Sequence, residues 1–342
     1  MDNLLEILAL QKQVGILIGA GVSKACGLPD VENLTKGIKE QIKNDNFNNL
    51  LDASDNIETI LNKLGQLKQL ISTGKVINGL TFKDVQELEV IIKKNIYDRL
   101  SVNTDYKKLC SLVAWLNYIN NDFEKEIFTL NYDLMIERAL EEVGLPYFTG
   151  FVGTVKPFFL PESVDDFSGS YVKTNWTKLW KMHGSLNYKK ALDGRIFIES
   201  KVTDEYENLL IYPSMDKYLS ARKAPFISYL DRFRKYILDK EKILFILGYS
   251  FGDEHINEII NNGLNNNTRL SVIVFTYSDI TFKKCKDIFG IYPNLSIYAA
   301  DKKYINRSES CFKCDGNIGD FNNFVKLLDT CLIPKKDEGN CD

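Results

Sequence analysis

The chain has 342 residues, of which 44% are hydrophobic and 26% are charged, a composition typical of a folded globular protein. Its formal net charge of −3 argues against a protein that grips nucleic acid through a broad basic surface. Seven cysteines without a secretory signal indicate reduced thiols, so we expect a cytoplasmic protein. No uncharged apolar run approaches the roughly 18 residues that a membrane-spanning helix needs.

The first predicted element is a strand, the apolar run from Val14 to Ile18, which leads directly into Gly19-Ala20-Gly21. Glycine lets the backbone turn sharply and approach a pyrophosphate, and backbone amides at such a turn favour an anion. We therefore interpret it as the phosphate-binding turn of a nucleotide site. The dehydrogenase fingerprint has a third glycine where Lys24 stands, so the alternative is a plain tight turn between a strand and a helix.

A long helical block follows this turn. Apolar residues at helical spacing predict helices over 32–44, 57–71, 83–100 and 106–120. A doubly wound fold needs only one crossover helix between neighbouring strands, so we interpret the block, about residues 45–123, as a helical insertion after the first strand.

The rest of the chain alternates between strands and helices. This alternation predicts an α/β fold, with a Rossmann-like parallel sheet flanked by helices. Residues 1–300 form the main domain, and 301–342 form a short C-terminal extension with a closing helix and a polar tail that we expect to be disordered. The predicted strands are 126–130, 176–182, 195–199, 209–212, 242–247, 270–276 and 294–299, and the predicted helices are 134–143, 226–238, 254–263, 280–289 and 320–332.

A local basic strip lies between Lys173 and Arg195. Lysines on edge strands discourage pairing with other sheets, and we interpret the strip as solvated side chains of this kind. Its members are Lys173, Lys178, Lys181, Lys189, Lys190 and Arg195.

Polar residues follow two of the predicted strands. Asn131 and Asp133 come after strand 126–130, and Gly248 and Ser250 come after strand 242–247. Open parallel sheets bind ligands beyond the carboxyl ends of their strands, where an asparagine amide suits a ribose hydroxyl or a water and a serine suits a phosphate or ribose. The alternative for Asn131 and Asp133 is that they cap the helix that begins near Leu134.

The chain has only two histidines, His183 and His255, and imidazole chemistry near neutral pH has to use one of them. His183 directly follows the predicted strand 176–182 and precedes Gly184-Ser185. This position predicts that it lies at the edge of the sheet where ligands bind. The alternative for His183 is a packed or surface residue. His255 falls in the first turn of a helix for which Asp253 is the predicted N-cap, and we interpret it as structural, since the helix dipole disfavours imidazolium there.

Four segments in this order resemble the sirtuin-like (silent information regulator type) family, and more narrowly its bacterial antiphage-defence NAD hydrolase branch. They are Gly19–Ser23 with Gly27-Leu28-Pro29, Leu130–Asp133, His183-Gly184-Ser185 and Gly248-Tyr249-Ser250. The resemblance covers about residues 10–300 and implies a sirtuin-like NAD-binding catalytic domain.

The resemblance also implies roles for individual residues. Asn131, with Asp133 beside it, contacts the nicotinamide ribose and orients a nucleophile, and His183 acts as the general base. The adenosine side of the dinucleotide is held by Gly248 and Ser250. The phosphates of the dinucleotide are lined by Gly19, Ala20, Gly21 and Ser23.

Two departures separate the chain from protein-deacylating sirtuins. Those enzymes carry Asp-Phe-Arg after their Gly-Ile-Pro, whereas here Asp30 precedes Val31-Glu32. They also hold a zinc with two Cys-x-x-Cys pairs, whereas this chain has only Cys311 and Cys314, so we expect no metal. The implied activity is NAD+ hydrolysis to nicotinamide and ADP-ribose, as an antiphage effector that depletes NAD. The alternatives are a sirtuin-type protein deacylase and a non-catalytic NAD or ADP-ribose sensor.

Such a hydrolase has to be held inactive until it is needed. The roughly 40 residues after Ala300 are too few for a second ordinary domain. We therefore expect control by homo-oligomerisation or by a regulatory partner from the same defence operon, either a helicase-like ATPase or a nucleotide-processing protein. We expect no membrane partner and no direct nucleic-acid binding.

Overall fold

The computed structural model describes Leu4, Glu6, Leu8 and residues 13–71, 74–102, 104–119, 123–165, 172–199, 207–210 and 224–332. Within these ranges the strands are β1 (Val14–Ile18), β2 (Lys125–Thr129), β3 (Tyr147–Phe148), β4 (Phe151–Val152), β5 (Phe158–Phe159), β6 (Thr177–Lys181), β7 (Gly184–Lys190), β8 (Ile196–Ile198), β9 (Glu207–Leu210), β10 (Lys242–Leu247), β11 (Leu270–Phe275), β12 (Leu295–Tyr298), β13 (Lys302–Ile305) and β14 (Ser308–Cys311). The helices are α1 (Ala20–Ala25), α2 (Val31–Lys39), α3 (Asp45–Asn48), α4 (Ile57–Ile71), α5 (Phe82–Leu100), α6 (Lys107–Ile119), α7 (Met135–Val143), α8 (Pro161–Val164), α9 (Phe226–Leu238), α10 (Glu254–Asn266), α11 (Asp279–Phe289) and α12 (Phe321–Leu332).

The main sheet has nine strands in the order β14-β13-β12-β11-β10-β1-β2-β6-β3. Seven neighbouring strands from β12 to β3 are parallel, and β13 and β14 continue the sheet as an antiparallel hairpin. From β1 the chain builds outward on one side through β2 and β6, and later on the other side through β10, β11 and β12. The gap between β1 and β10 is therefore a topological switch point, where open α/β sheets form ligand crevices.

Helices cover both faces of this sheet over two separate apolar cores. One core joins side chains of the sheet to α9, α10 and α11. The other joins them to α1, α6, α7 and α12. The predicted α/β class, a Rossmann-like parallel sheet flanked by helices, is confirmed. The five-stranded antiparallel sheet β4-β5-β8-β7-β9 was not predicted as a unit, because β4, β5 and β8 have only two or three residues each, too few to show an apolar pattern.

The helical insertion has a third apolar core of its own, to which α2, α3, α4 and α5 contribute. Helix α6, in contrast, places Leu109, Trp115 and Leu116 in a core of the main sheet. The layer with its own core thus spans α2–α5, whereas the predicted range of about 45–123 leaves out α2 and takes in α6. Helical spacing shows that a helix has a buried face, but not which core receives that face.

The described part of the C-terminal extension packs onto the main sheet. Helix α12 contributes Phe321, Phe324 and Leu328 to a core of the sheet, and the Phe324 ring lies 4.7 Å from that of Phe275. The predicted polar tail, residues 335–342, lies outside the described residues. Among the helices that the structure describes, none is long and apolar enough to cross a membrane.

The prediction of solvated lysines between Lys173 and Arg195 is wrong for three of them. Lys178 and Lys181 are buried in ion pairs with Glu124 and Glu137, at 2.6 and 2.9 Å. Lys189 is also buried, with its ammonium 5.4 Å from the centre of the Tyr97 ring. Strand β6 lies between β2 and β3 rather than at an edge, and acidic side chains from other elements neutralise its lysines. Lys173 and Arg195 are exposed, and Lys190 is half-buried.

Candidate functional site

A cleft of about 490 Å³ lies at the carboxyl ends of β1, β2, β6 and β10. Residues at the start of the helical insertion also line it, together with Ile57 and Leu100; they are Pro29, Asp30, Val31, Glu32 and Leu34. The structure brings all of the site residues predicted from the sequence together in this cleft; they are Gly19, Ala20, Gly21, Ser23, Asn131, Asp133, His183, Gly248 and Ser250.

The glycine turn after β1 is held against the turn after β10. The Gly19 amide donates to the Leu247 carbonyl and the Gly21 amide donates to the Gly248 carbonyl, both at 2.9 Å. A Cβ atom on Gly19 would lie 2.6 Å from the Gly248 oxygen, and one on Gly248 would lie 2.6 Å from the Val22 nitrogen. The glycines are thus required by the close approach of two backbone turns. The Gly19 and Gly21 amides, which we assigned to an anion, therefore already donate hydrogen bonds within the protein.

Gly248→Ala is expected to lower the free energy of unfolding by about 1–3 kcal/mol. Gly248 has a φ of +64°, in the left-handed region, and its new Cβ would also collide with the Val22 backbone. Gly144→Ala is the matched control, since Gly144 has a φ of +71° and no atom within 4 Å of the position of a Cβ. Urea unfolding of both variants measures the difference. Equal losses would show that the close approach of the turns imposes no constraint.

Three buried polar side chains connect the glycine turn to the segment after β2. Asn131 Nδ2 donates to the Gly19 carbonyl at 3.0 Å and to Ser23 Oγ at 2.8 Å. The Ser23 hydroxyl donates to Asp133 Oδ2 at 2.7 Å, and Asp133 Oδ1 accepts from the Met135 amide at 3.1 Å. Leu134 holds the N-cap position of α7 without a side-chain capping bond, so neither Asn131 nor Asp133 is the N-cap; Asp133 instead accepts from the amide of the first residue of the helix and anchors Ser23.

The orientation of the Asn131 amide follows from this network. The Gly19 carbonyl can only accept a hydrogen bond, so the atom that faces it has to be the amide nitrogen. The Asn131 Oδ1 atom makes no hydrogen bond to the residues that the structure describes and is the atom able to accept from a ligand. The hydrogen of the Ser23 hydroxyl is committed to Asp133, so it is not available to a phosphate in this arrangement.

Lys181 holds the same segment from β6. Its buried ammonium donates to the backbone carbonyls of Tyr132 and Asp133 and forms an ion pair with Glu137 Oε1 at 2.9 Å. Burial raises the pKa of the Glu137 carboxyl, because the charged form loses its water, while the Lys181 ammonium opposes this rise. Lys181 therefore fixes the backbone that carries Asn131 into the cleft.

The two histidines of the chain lie against each other. His183 Nε2 and His255 Nε2 are 3.2 Å apart, with ring centroids separated by 5.3 Å, and both rings are buried. A hydrogen bond between two ring nitrogens takes one hydrogen, so one ring donates and the other accepts. Our interpretation of His255 as a purely structural residue missed this pair. The available signal was that both histidines follow carboxyl ends of parallel strands, which meet at one edge of a sheet.

Asp253 stands beside this pair at the N-cap position of α10, as predicted. Its side chain makes no capping hydrogen bond to the helix, which differs from the expected capping role. The Tyr249 hydroxyl lies 3.1 Å from the Asp253 carbonyl and 3.1 Å from Asn257 Oδ1, so the turn after β10 is tied to the body of α10. Ser250 is exposed on this turn and lines the cleft.

Known proteins and protein families were compared with the chain. Residues 125–290 match the family model described as the SIR2-like domain, which supports the resemblance to the sirtuin-like family. This range includes Asn131, His183, Ser250 and His255 and excludes the glycine turn. No curated protein matches the chain.

Solved structures of Sir2 proteins are similar to the chain. One is a Sir2 homologue in complex with NAD, at 14% identity and a TM-score of 0.49, with 97% of this chain and 95% of that chain covered. Another is a histidine-to-alanine Sir2 variant with a deacetylated p53 peptide and 3′-O-acetyl ADP-ribose. Its identity is 12% and its TM-score 0.38, with 84% of this chain and 90% of that chain covered.

Proposed function

We propose that this chain, with its SIR2-like match over residues 125–290, is an NAD+ glycohydrolase that releases nicotinamide and leaves ADP-ribose. One observation carries the proposal. An amide oxygen that can accept from a ribose hydroxyl or a water, on Asn131, and an imidazole, on His183, line the same cleft as the glycine turn. The cleft volume of about 490 Å³ is in the range of small-molecule and cofactor sites.

The chemistry needs few groups from the protein. The bond from C1′ of the ribose to nicotinamide is weak, since the leaving group is a cationic pyridinium that takes the bonding electron pair and departs neutral. The transition state resembles an oxocarbenium ion, as in glycoside cleavage. Asn131 Oδ1 accepts a hydrogen bond from the ribose or from the attacking water. Water forms the new bond to C1′, and its proton passes to His183.

The antiparallel sheet formed within residues 151–210 favours water over acyl-lysine as the nucleophile. In zinc-bearing sirtuins the cysteine pairs form part of the acyl-lysine channel. Here the antiparallel sheet β4-β5-β8-β7-β9 packs through aromatic rings, such as Phe151 against Tyr188 at 4.6 Å. No cysteine occurs between Tyr147 and Leu210, so this sheet offers no zinc ligands of the cysteine type.

The proposed biological role is antiphage defence through NAD depletion, with control by self-association or by an operon-encoded partner. Apolar side chains exposed on the helical insertion support a contact with another chain. They include Leu70 on α4, Val90 and Ile91 on α5, and Val76 between the two helices.

The decisive experiment is incubation of the purified chain with NAD+, with and without an acyl-lysine peptide and with and without extract of infected host cells. We expect nicotinamide and ADP-ribose in equal amounts without the peptide. Nicotinamide release that depends on the peptide and yields O-acyl-ADP-ribose would instead establish the deacylase. Binding of NAD+ without turnover in any arm would establish the sensor.

A further inference from the structure

We propose that His183, His255 and Asp253 form a binding site for one divalent transition-metal ion of the zinc class. One atom from each of these side chains, two imidazole nitrogens and a carboxylate oxygen, lies within 4.8 Å of the others. The residues belong to the end of β6 and the start of α10, so the turn after β10 brings them together.

The spacing of the two imidazoles fits a shared ion. Zinc binds histidine nitrogen at about 2.0–2.1 Å with tetrahedral geometry, which places two such nitrogens about 3.3 Å apart. The Nε2 atoms of His183 and His255 are 3.2 Å apart. Both rings are buried, at 4% and 9% exposure, so their positions are fixed by packing before any ion arrives.

Asp253 supplies the third donor atom of the proposed site. It occupies the N-cap position of α10, and its carboxylate is not used in a capping hydrogen bond to that helix. One carboxylate oxygen lies within 4.8 Å of both imidazole nitrogens, and the half-buried side chain has to close the remaining gap when an ion binds. Two imidazoles and one carboxylate suit zinc, copper or nickel better than magnesium or calcium, which prefer all-oxygen sites.

The site has an open side. His183 and Asp253 both line the cleft, so a fourth ligand can come from water or from a molecule bound there. An ion on His183 Nε2 takes the lone pair that would accept a proton. Metal binding therefore inhibits NAD+ cleavage, a consequence that rests on the proposed function, whereas binding itself does not.

Binding is tested by titrating the chelator-treated full chain with Co²⁺ and then with Zn²⁺, using calorimetry and visible absorption. We expect one ion per chain, displacement of Co²⁺ by Zn²⁺, and no thiolate charge-transfer band. His255→Ala abolishes binding. Asp253→Asn, which keeps the shape of the side chain, weakens binding at least about tenfold and serves if His255→Ala does not fold.

The matched control is the double variant Cys311→Ser with Cys314→Ser, because Cys311 is exposed, Cys314 is half-buried, and this pair is the chain's only Cys-x-x-Cys. This cysteine variant is expected to bind the ion as the parent chain does, if the histidines are the ligands. Loss of the ion in the cysteine variant, or its retention in His255→Ala and Asp253→Asn, overturns the proposed site.

The inhibitory consequence has a separate readout. Zn²⁺ is expected to stop NAD+ cleavage by the parent chain, with recovery after a chelator is added. Binding without any NAD+ turnover leaves the metal site standing and removes the proposed function. If NAD+ cleavage depends on His183 but the chain binds no ion, the metal site is overturned. If the chain binds Zn²⁺ and still cleaves NAD+ at the undiminished rate, the proposed inhibition is overturned.

Discussion

His183→Ala is expected to lower the rate of NAD+ cleavage by about 10²–10⁴-fold, the usual contribution of a general base. The imidazole lines the cleft and is held in place by burial and by the 3.2 Å contact with His255. Alanine removes the proton acceptor and leaves the glycine turn and Asn131 in place. Initial rates at saturating NAD+, with NAD+ affinity measured separately, show whether the loss lies in the chemical step.

His255→Ala is the natural companion, since it removes the neighbour of His183 and keeps the His183 ring. We expect a smaller loss of rate than for His183→Ala. The double variant should be no slower than His183→Ala alone, because residues that act as a unit show non-additive effects. A folded His183→Ala protein that cleaves NAD+ at the parent rate would contradict the assigned role.

Whole elements with a continuous apolar pattern could be predicted from the sequence. The bounds of α4, α9 and β10 coincide with the predicted ranges 57–71, 226–238 and 242–247. The hairpin β13–β14 could not be predicted in this way. Every residue of β14 is exposed, so no apolar alternation marks it, and only its pairing with β13 defines it as a strand.

At the site, too, features that follow from single strands could be predicted, whereas contacts between distant elements could not. Asn131, His183 and Gly248 each follow a predicted strand, and a parallel sheet brings such residues to one edge. Strand ends place His183 and His255 at the same edge of the sheet, but their direct 3.2 Å contact depends on tertiary packing between residues 72 positions apart. Likewise, the burial of Lys181 depends on Glu137, which a different element contributes.

Arg232→Met is expected to lower the free energy of unfolding by about 3–5 kcal/mol, the usual effect of breaking a buried ion pair. Arg232 on α9 is 1% exposed, and its Nε and Nη2 atoms donate to the two carboxylate oxygens of Glu126 at 2.8 and 2.7 Å. Glu126 lies on β2 and is itself 1% exposed. Without the guanidinium, its carboxylate stays buried with the Trp180 indole as a remaining donor, at 2.7 Å.

Arg234→Met on the same helix is the matched control for this prediction. Arg234 pairs with Asp231 at 2.6 Å, but both side chains are close to half exposed, so the expected loss is less than about 1 kcal/mol. Adding Glu126→Gln to Arg232→Met removes the unpaired charge and should restore part of the lost stability. Urea unfolding of the four proteins gives these differences. Similar losses for Arg232→Met and Arg234→Met would mean that the guanidinium does not compensate a buried charge on β2, the strand that leads into Asn131.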